Sequence, residues 1–536
     1  MLRPRGLAPT VALLLATAPA GAQLTPFVVT ELAHLTDPEG AAGDAFGGSA
    51  SLDTGALLVG APGDDPGGST SVFTGAGHEW ELQARLEAPG AQAGDDFGAS
   101  VGLSGGTALV GAPGADGSGA AEAGSAWVFV AQPAGWSVQA LLAAPGAASG
   151  DGFGAAVAVA GDTLVVGAPG RDGPGAADAG AAYVFVRNGA TWTLQALLVA
   201  SDAAADDGFG AAVALQGDTL LVGSPEGGPP GQPDAGASYV FVRSGGAWSE
   251  QARLAASDAA SGDAFGASVA LSGDTALVGA ELDDHPGGAD AGAAYVFVRD
   301  AGAWSQQARL TASGGASGDA FGASVSVSGD TALVGAPGDT LAAVAQAGSA
   351  HVFVRSGSFW SQHAKVSASD AAPQAAFGRA ACVVGETLLV GAPSTALPAA
   401  HARGEAWVYR FGLVGSWQDL GAGLAGSAGV PQLYGTGELL ARSDVTLVLA
   451  QAKPASVATL VVGLELLGAP FKGGTLVPDA DLVLPALTDG AGGIVLEGRW
   501  PDGVPSGFST WFQWWIADVA GPAGLAASNA VSGTTP

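Results

Sequence analysis

The stretch that decides the fold is Asp151-Gly152-Phe153-Gly154-Ala155-Ala156-Val157-Ala158-Val159-Ala160-Gly161-Asp162-Thr163-Leu164-Val165-Val166-Gly167-Ala168-Pro169. It opens on Phe-Gly, runs through a strand of small residues, reverses at Gly161-Asp162 and returns into Val-Gly-Ala-Pro. Two more strand-like runs follow, Ala182-Tyr183-Val184-Phe185-Val186-Arg187 and Trp192-Thr193-Leu194-Gln195. The same text is written seven times. Its Phe-Gly pair recurs with Phe46, Phe97, Phe153, Phe209, Phe265, Phe321 and Phe377, at spacings of 51 and then 56 five times over. The glycine opening the second motif keeps step at Gly60, Gly111, Gly167, Gly223, Gly279, Gly335 and Gly391. Repetition this strict points to a solenoid, a propeller or an array before any local argument is made.

Each copy reads as four short strands, in the fifth copy at 265–271, 275–279, 294–299 and 304–310. The fourth alternates polar and apolar residues, as a half-exposed strand does. The first is continuously small, which suits the crowded axis of a ring, while Trp and Tyr-Val-Phe fill its wider rim. Gly-Asp at 161–162, 217–218, 273–274 and 329–330 is a two-residue hairpin signal. Units that cannot bury both faces alone stack radially into a seven-bladed β-propeller. A ring must also close. Phe27-Val28-Val29-Thr30-Glu31-Leu32-Ala33-His34-Leu35 aligns with strand four and is expected to complete the last blade and remove an open edge. A strand from around Trp417 is the competing closure.

Phe-Gly followed by Val-Gly-Ala-Pro resembles the FG-GAP repeat of the integrin alpha-subunit propeller and its bacterial relatives, over about residues 27–418. The resemblance implies calcium in a D-x-D-x-D-G loop between strands one and two. Here Ser272-Gly273-Asp274-Thr275 stands in that place, and one carboxylate cannot supply the six or more oxygens that calcium prefers. Asp274 and its counterparts are therefore read as turn residues. Beyond Asp419 the repeat stops, and short apolar runs divided by Gly, Pro and Asp predict a β-sandwich-like C-terminal domain. Its ending, Ala527-Ser528-Asn529-Ala530, resembles a module appended to other secreted bacterial repeat proteins. The expected organisation is all-β: a signal peptide over 1–22, the propeller over 23–418 and the C-terminal domain over 419–536.

Composition bounds the function. The chain has 536 residues, 88 of them glycine, with 12% charged and 48% hydrophobic residues, which suits tight turns between short strands around a packed core. A net charge of −31 excludes the basic footprint that nucleic acid requires, disfavours an anionic membrane surface, and is compatible with cations or basic partners. Arg3 and Arg5, an apolar run at 11–18 and Ala20-Gly21-Ala22 read as an export signal, so a secreted or cell-surface location is expected. No later run is apolar enough to span a bilayer. Cys382 stands alone and reads as an inner-strand filler rather than a reactive thiol.

Two sets of carboxylates are candidates for function. Asp44, Asp95, Asp151, Asp207, Asp263 and Asp319 precede strand one, with Ala375 breaking the series; Glu122, Asp178, Asp234 and Asp290 precede strand three. Both loops emerge on one end of a propeller, the end that the resemblance makes the ligand-bearing face. Each set has two readings, as turn-stabilising side chains or as ligand-binding groups. A cation bridged by Asp283, Asp284 and Asp290 is the sharpest local version, with calcium its candidate ion; no other cofactor is expected. In the C-terminal domain Trp511 and Trp515 share a strand face with Gln513, opposite Phe512 and Trp514, and form either a sugar-stacking platform or core.

Enzyme motifs read as accidents of the repeat. The G-x-S-x-G match at 98–102 lies on an inner strand, and the G-x-G-x-x-G match at 421–426 has no βαβ context. The six histidines, read as mostly solvent-facing, have no ligand spacing. The sequence therefore predicts a monomeric, exported, non-enzymatic recognition or adhesion scaffold for an extracellular protein, with a polysaccharide ligand as the alternative.

Overall fold

A computed structural model describes residues 27–536 except 77–78, 117–119, 230, 286, 343, 394–402, 414–415, 422–426, 428–429, 437–443, 451, 464–465, 472–473, 479–481, 490–493, 500–508, 521–524, 529 and 535–536. The export signal read over 1–22 lies outside the described residues, as does most of the motif at 421–426. The described residues are all-β. No helix among them is long and apolar enough to cross a membrane. One compact unit is built on Val29–Phe411 and another on Gly412–Pro536.

The first unit is a ring of seven four-stranded antiparallel blades. In blade three Val157–Ala160, Thr163–Ala168, Ala181–Asn188 and Thr191–Leu198 pair in chain order, and blades one to six share this plan. Blade seven takes three strands from the end of the ring, Ala380–Val384, Thr387–Ala392 and Glu405–Leu413. Its fourth is Phe27–Leu35 from the start of the unit. The N-terminal segment thus closes the ring. Ser416–Gly421, which carries Trp417, does not: it pairs with Ala530–Thr534 in the second unit. Trp417 follows Trp80, Trp136, Trp192, Trp248, Trp304 and Trp360 at nearly the repeat spacing and reads from the sequence as the seventh of their series. It does not stand in a blade as they do, because the fourth place in blade seven is already filled.

The two glycine motifs have one physical cause. A Cβ on Gly111 would sit 2.0 Å from the carbonyl oxygen of Gly154 in the next blade, so the two backbones touch and no side chain fits between them. Around the ring the corresponding gap is 1.9–2.1 Å. Gly154 itself lies at φ +101°, and its N–H donates to Gly167 O at 2.9 Å within its own blade. The neighbouring Phe is fully buried in all seven copies. Its ring meets the strand-three aromatic edge-on, as Phe153 does Phe185 at 6.3 Å. Ser100, the serine of the G-x-S-x-G match, is a staple of this seam: its Oγ donates to Gly154 O at 2.7 Å.

Polar ties run around the ring at two further levels. In blades two to six the tryptophan opening strand four donates to a glutamine of the preceding blade, as Trp192 Nε1 does to Gln139 at 2.8 Å. At the closing seam Leu32 aligns with that glutamine, and Trp80 Nε1 finds no acceptor among the described residues. Asp162, Asp218, Asp274 and Asp330 hold turns, as expected, and also bind arginines of strand three. Arg299 Nε donates to Asp274 at 2.7 Å and Nη1 to Thr219 of the preceding blade at 3.3 Å. The guanidinium lies 5.2 Å from the Trp304 ring. Cys382 sits on an inner strand with Sγ 3.1 Å from Ala50 O, and burial pushes its thiol up to about 12.

The second unit is also all-β. Its longest sheet centres on Ser509–Ala517, flanked by Val457–Gly463 and Ala530–Thr534. A three-stranded sheet joins Gln432–Thr436, Asp444–Ala450 and Ile494–Arg499. Leu433 and Leu449 of that sheet pack against Leu460, Phe512, Trp514 and Ile516 of the first, a sandwich-like core.

Two substitutions and one control test this account by urea unfolding. Gly223→Ala places a Cβ 2.0 Å from Gly266 O and is expected to destabilise the ring by roughly 1–3 kcal/mol. Phe209→Ala, which empties a fully buried ring site, is expected to cost about 3–5 kcal/mol. Ser249→Ala on an exposed strand face should stay within about 0.5 kcal/mol.

Candidate functional site

The loops before strands one and three meet at each seam on one end of the ring. Phe153 N–H donates to Ala123 O at 3.0 Å and Gly152 N–H to Glu122 O at 3.1 Å, so the strand-three loop of blade two clasps the loop opening blade three. The Phe clasp is repeated at all seven seams, ending with Phe46 N–H on Arg403 O at 2.9 Å.

Within this clasp the first carboxylate set is structural. Asp44, Asp151, Asp207, Asp263 and Asp319 are buried, and Asp95 is partly so. Each accepts the backbone N–H three residues before it, from Gln92 to Asp95 at 2.8 Å and from Ala148 to Asp151 at 2.9 Å, for example. That is turn chemistry. Burial pushes the Asp263 and Asp319 carboxyls upward, opposed by the Ala260 and Ala316 N–H groups that they accept.

The second set is placed differently. Glu122, Asp178, Asp234 and Asp290 lie at φ 54°, 49°, 56° and 51°, a left-handed conformation that residues other than glycine seldom adopt. Their backbones form the clasp and their side chains are exposed. Three of the four N–H groups are capped by an Asp six residues earlier, as Asp290 N–H is by Asp284 Oδ1 at 2.9 Å. The result is an arc of carboxylates at one level of blades two to five, where blade six has Gln346. Its field is felt nearby. The Glu226 carboxyl is pushed up by partial burial and by Asp234, Asp206 and Asp178; Asp96 is pushed up by partial burial, Asp95 and Glu122.

Asp283, Asp284 and Asp290 do not converge on a point. Asp283 is buried beneath blade five, where it takes the Arg309 guanidinium and the Tyr295 hydroxyl. Asp284 caps Asp290, and the Asp290 side chain faces solvent. Among the described residues these three are not a group whose ligand atoms lie within 4.8 Å of one another. In the second unit Phe512, Gln513, Trp514, Trp515 and Ile516 are all buried, because both faces of their strand are packed: Phe512, Trp514 and Ile516 against Leu433, Leu449 and Leu460, and Trp515 on the other face. Trp515 packs with Val461 and Ala527, its Nε1 donating to Gln513 at 3.3 Å. The Trp511 side chain lies outside the described residues.

The histidines depart from the sequence reading. Of the four described, only His34 is exposed. His351 is 1% exposed in the slot that Tyr183, Tyr239 and Tyr295 fill in blades three to five. Its Nε2 is 2.9 Å from Ser349 Oγ, and that hydroxyl is within hydrogen-bond distance of Asp339. The three residue types are those of a hydrolytic triad, yet Ser349 is fully buried and its hydroxyl lies against the carboxylate. His34 stands where Arg253 and Arg309 stand in blades four and five, 3.5 Å from Glu405. Aligning the third residue of strand three and the penultimate residue of strand four across the copies would have exposed both departures, because each replaces a recurring residue.

A family model described as FG-GAP repeat matches residues 29–73, 80–129, 136–185, 192–241, 248–297, 304–353 and 360–409. No curated protein matches the chain. Solved structures similar to it include a "putative 6-phosphogluconolactonase" from Bacteroides fragilis, at 13% identity and TM-score 0.41, covering 60% of this chain and 84% of that one. A structure of the Mitotic Checkpoint Complex matches at 12% identity and TM-score 0.42, covering 75% and 99%. Likenesses this loose carry no argument about function.

Two outcomes follow from the site. Burial holds His351 down at about 4, so it stays neutral in the fold while the unfolded chain takes a proton below about 6.5. Its contribution is present above that value and lost as pH falls toward 4. Melting temperature should drop over this window more in the wild type than in His351→Tyr, which carries the residue of blades three to five. Because the first carboxylate set is filled by backbone N–H groups, millimolar calcium should leave the melt in chelator unchanged. A rise of several degrees would mean a native calcium site.

Proposed function

The chain belongs to the FG-GAP repeat family, and from that premise we propose that it is an exported, non-enzymatic recognition scaffold that binds a basic protein or surface ligand on the clasp face of its propeller. The observation that carries the reading is the arc Glu122, Asp178, Asp234 and Asp290. These are exposed carboxylates on a backbone fixed by hydrogen bonds at the blade seams. A rigid frame presenting variable loop residues is the usual architecture of a binding surface. Acids held at one level focus a negative field toward a cationic partner and speed its encounter. The non-enzymatic reading is supported by the burial of Ser349 and His351 and by the seam role of Ser100. Secretion or display at the cell surface is the setting that fits the N-terminal signal pattern.

The test uses the full-length chain as bait for proteins of the culture fluid and cell surface, beside a variant carrying Glu122→Gln, Asp178→Asn, Asp234→Asn and Asp290→Asn. The expected partner is basic, weakens as salt is raised, and binds the fourfold variant at least tenfold less while the variant melts as the wild type does. A partner held equally by the variant would move the site elsewhere. A reporter fused after residue 30 should leave the cytoplasm only when residues 1–22 are present.

A further inference from the structure

Blade seven departs from blades four and five at a place where those two agree. In them the penultimate residue of strand four is Arg253 or Arg309, paired at 3.1 and 3.4 Å with Asp202 or Asp258 from the preceding loop. Strand three opens there on Ala237 or Ala293. In blade seven the strand-four residue is His34, the loop carboxylate is Asp370, and strand three opens on Glu405. Strand three has thus gained a carboxylate at its opening, and strand four has given up a permanent cation.

The geometry of what remains is that of a ligand set. One atom each from His34, Asp370 and Glu405 lies within 4.8 Å of the other two. His34 Nε2 and Glu405 Oε2 are 3.5 Å apart. Tetrahedral bonds of about 2.0–2.1 Å place ligand atoms about 3.3–3.4 Å apart, so this pair already stands at nearly the right separation. Asp370, exposed on its loop, can supply the rest of the closure. The imidazole is held in plane by stacking on Trp407, with centroids 4.7 Å apart and 5° between planes. Glu405 is 8% exposed, so its carboxylate is taken largely out of water. Glu31 adds a further negative charge near the imidazole.

We propose that His34, Asp370 and Glu405 bind one divalent transition-metal ion of the zinc type, and that this ion staples the N-terminal strand into the ring. One imidazole nitrogen and two carboxylate oxygens, with a position open to water, suit such an ion better than calcium, which seeks six or more oxygens. The three ligands come from the closing strand, from strand three of blade seven and from the loop leaving blade six. The ion takes the place of the arginine that ties blades four and five at this level. It also ties down the one pair of neighbouring strands within a blade that no hairpin joins, since strand four of blade seven comes from the other end of the unit. The proposal is independent of the ligand-binding reading of the clasp face.

The test is made on the full-length chain stripped with chelator and titrated with zinc chloride by calorimetry and thermal melting. The expected result is one saturable zinc per chain and a melting temperature that rises with zinc. His34→Arg and Glu405→Ala carry the residues of blades four and five at the same positions, so both should fold, as circular dichroism would show. Each should weaken zinc binding roughly tenfold or more and lose the zinc-dependent rise, while His34→Arg without zinc melts no lower than the wild type. The proposal is overturned if the wild type binds no zinc saturably, if both variants bind it equally well, or if calcium at the same concentration gives the same rise.

Discussion

At every seam of the ring two glycine backbones are in contact. Gly167 leaves no room for a Cβ because Gly210 O of the next blade occupies that space, and the same holds around the circle. Both motifs of the repeat follow from this approach. The glycine after Phe must take a positive φ to turn its carbonyl toward the preceding blade, and Phe fills the volume beneath it. Small first strands are the same constraint seen at the axis, where neighbouring blades converge. An all-β ring with so much glycine is stable because its glycines are contact points rather than flexible joints.

Around that contact the ring is tied at several heights: by the Phe clasp at the loop end, by serine hydroxyls at the glycine seam, by Trp–Gln pairs on the outside, and by Arg–Asp–Thr triads at the opposite end. Each kind of tie includes a bond from one blade to its neighbour, the triads through their Arg–Thr bond, so the net strengthens only when the circle is complete. The closing seam keeps the Phe clasp and the glycine contact but lacks the Trp–Gln tie, Leu32 standing where glutamine recurs. It is also where His34 and Glu405 replace the residues of other blades. Departures from the repeat thus gather where the chain must be fastened.

The acidic face shows how a repeat separates structure from function. The aspartates before strand one recur because each one closes its own turn, and they are spent on that task. Those before strand three use only their backbone in the clasp, which leaves the carboxylates for solvent and whatever approaches. Sequence spacing treats the two sets alike. Hydrogen bonding tells them apart, as it does for Asp283, whose carboxylate is bound to Arg309 and Tyr295.

The sequence by itself determined the number of blades and the order of strands, because a period of 56 residues and a fixed pattern of Phe, Gly and Trp admit one radial stacking, and it offered the N-terminal segment as the closing strand beside a rival around Trp417. It also identified Gly-Asp as a turn and Ser100 as structural, since their repetition left no room for a unique role. Only the tertiary structure decided which carboxylates are exposed, that Trp417 belongs to the second unit, that Trp515 is core, and that His351 is buried while His34 faces Glu405. The reason is physical: periodicity reports the backbone frame that every copy shares, whereas burial and partnership depend on the neighbouring blade, which lies about one whole repeat away along the chain.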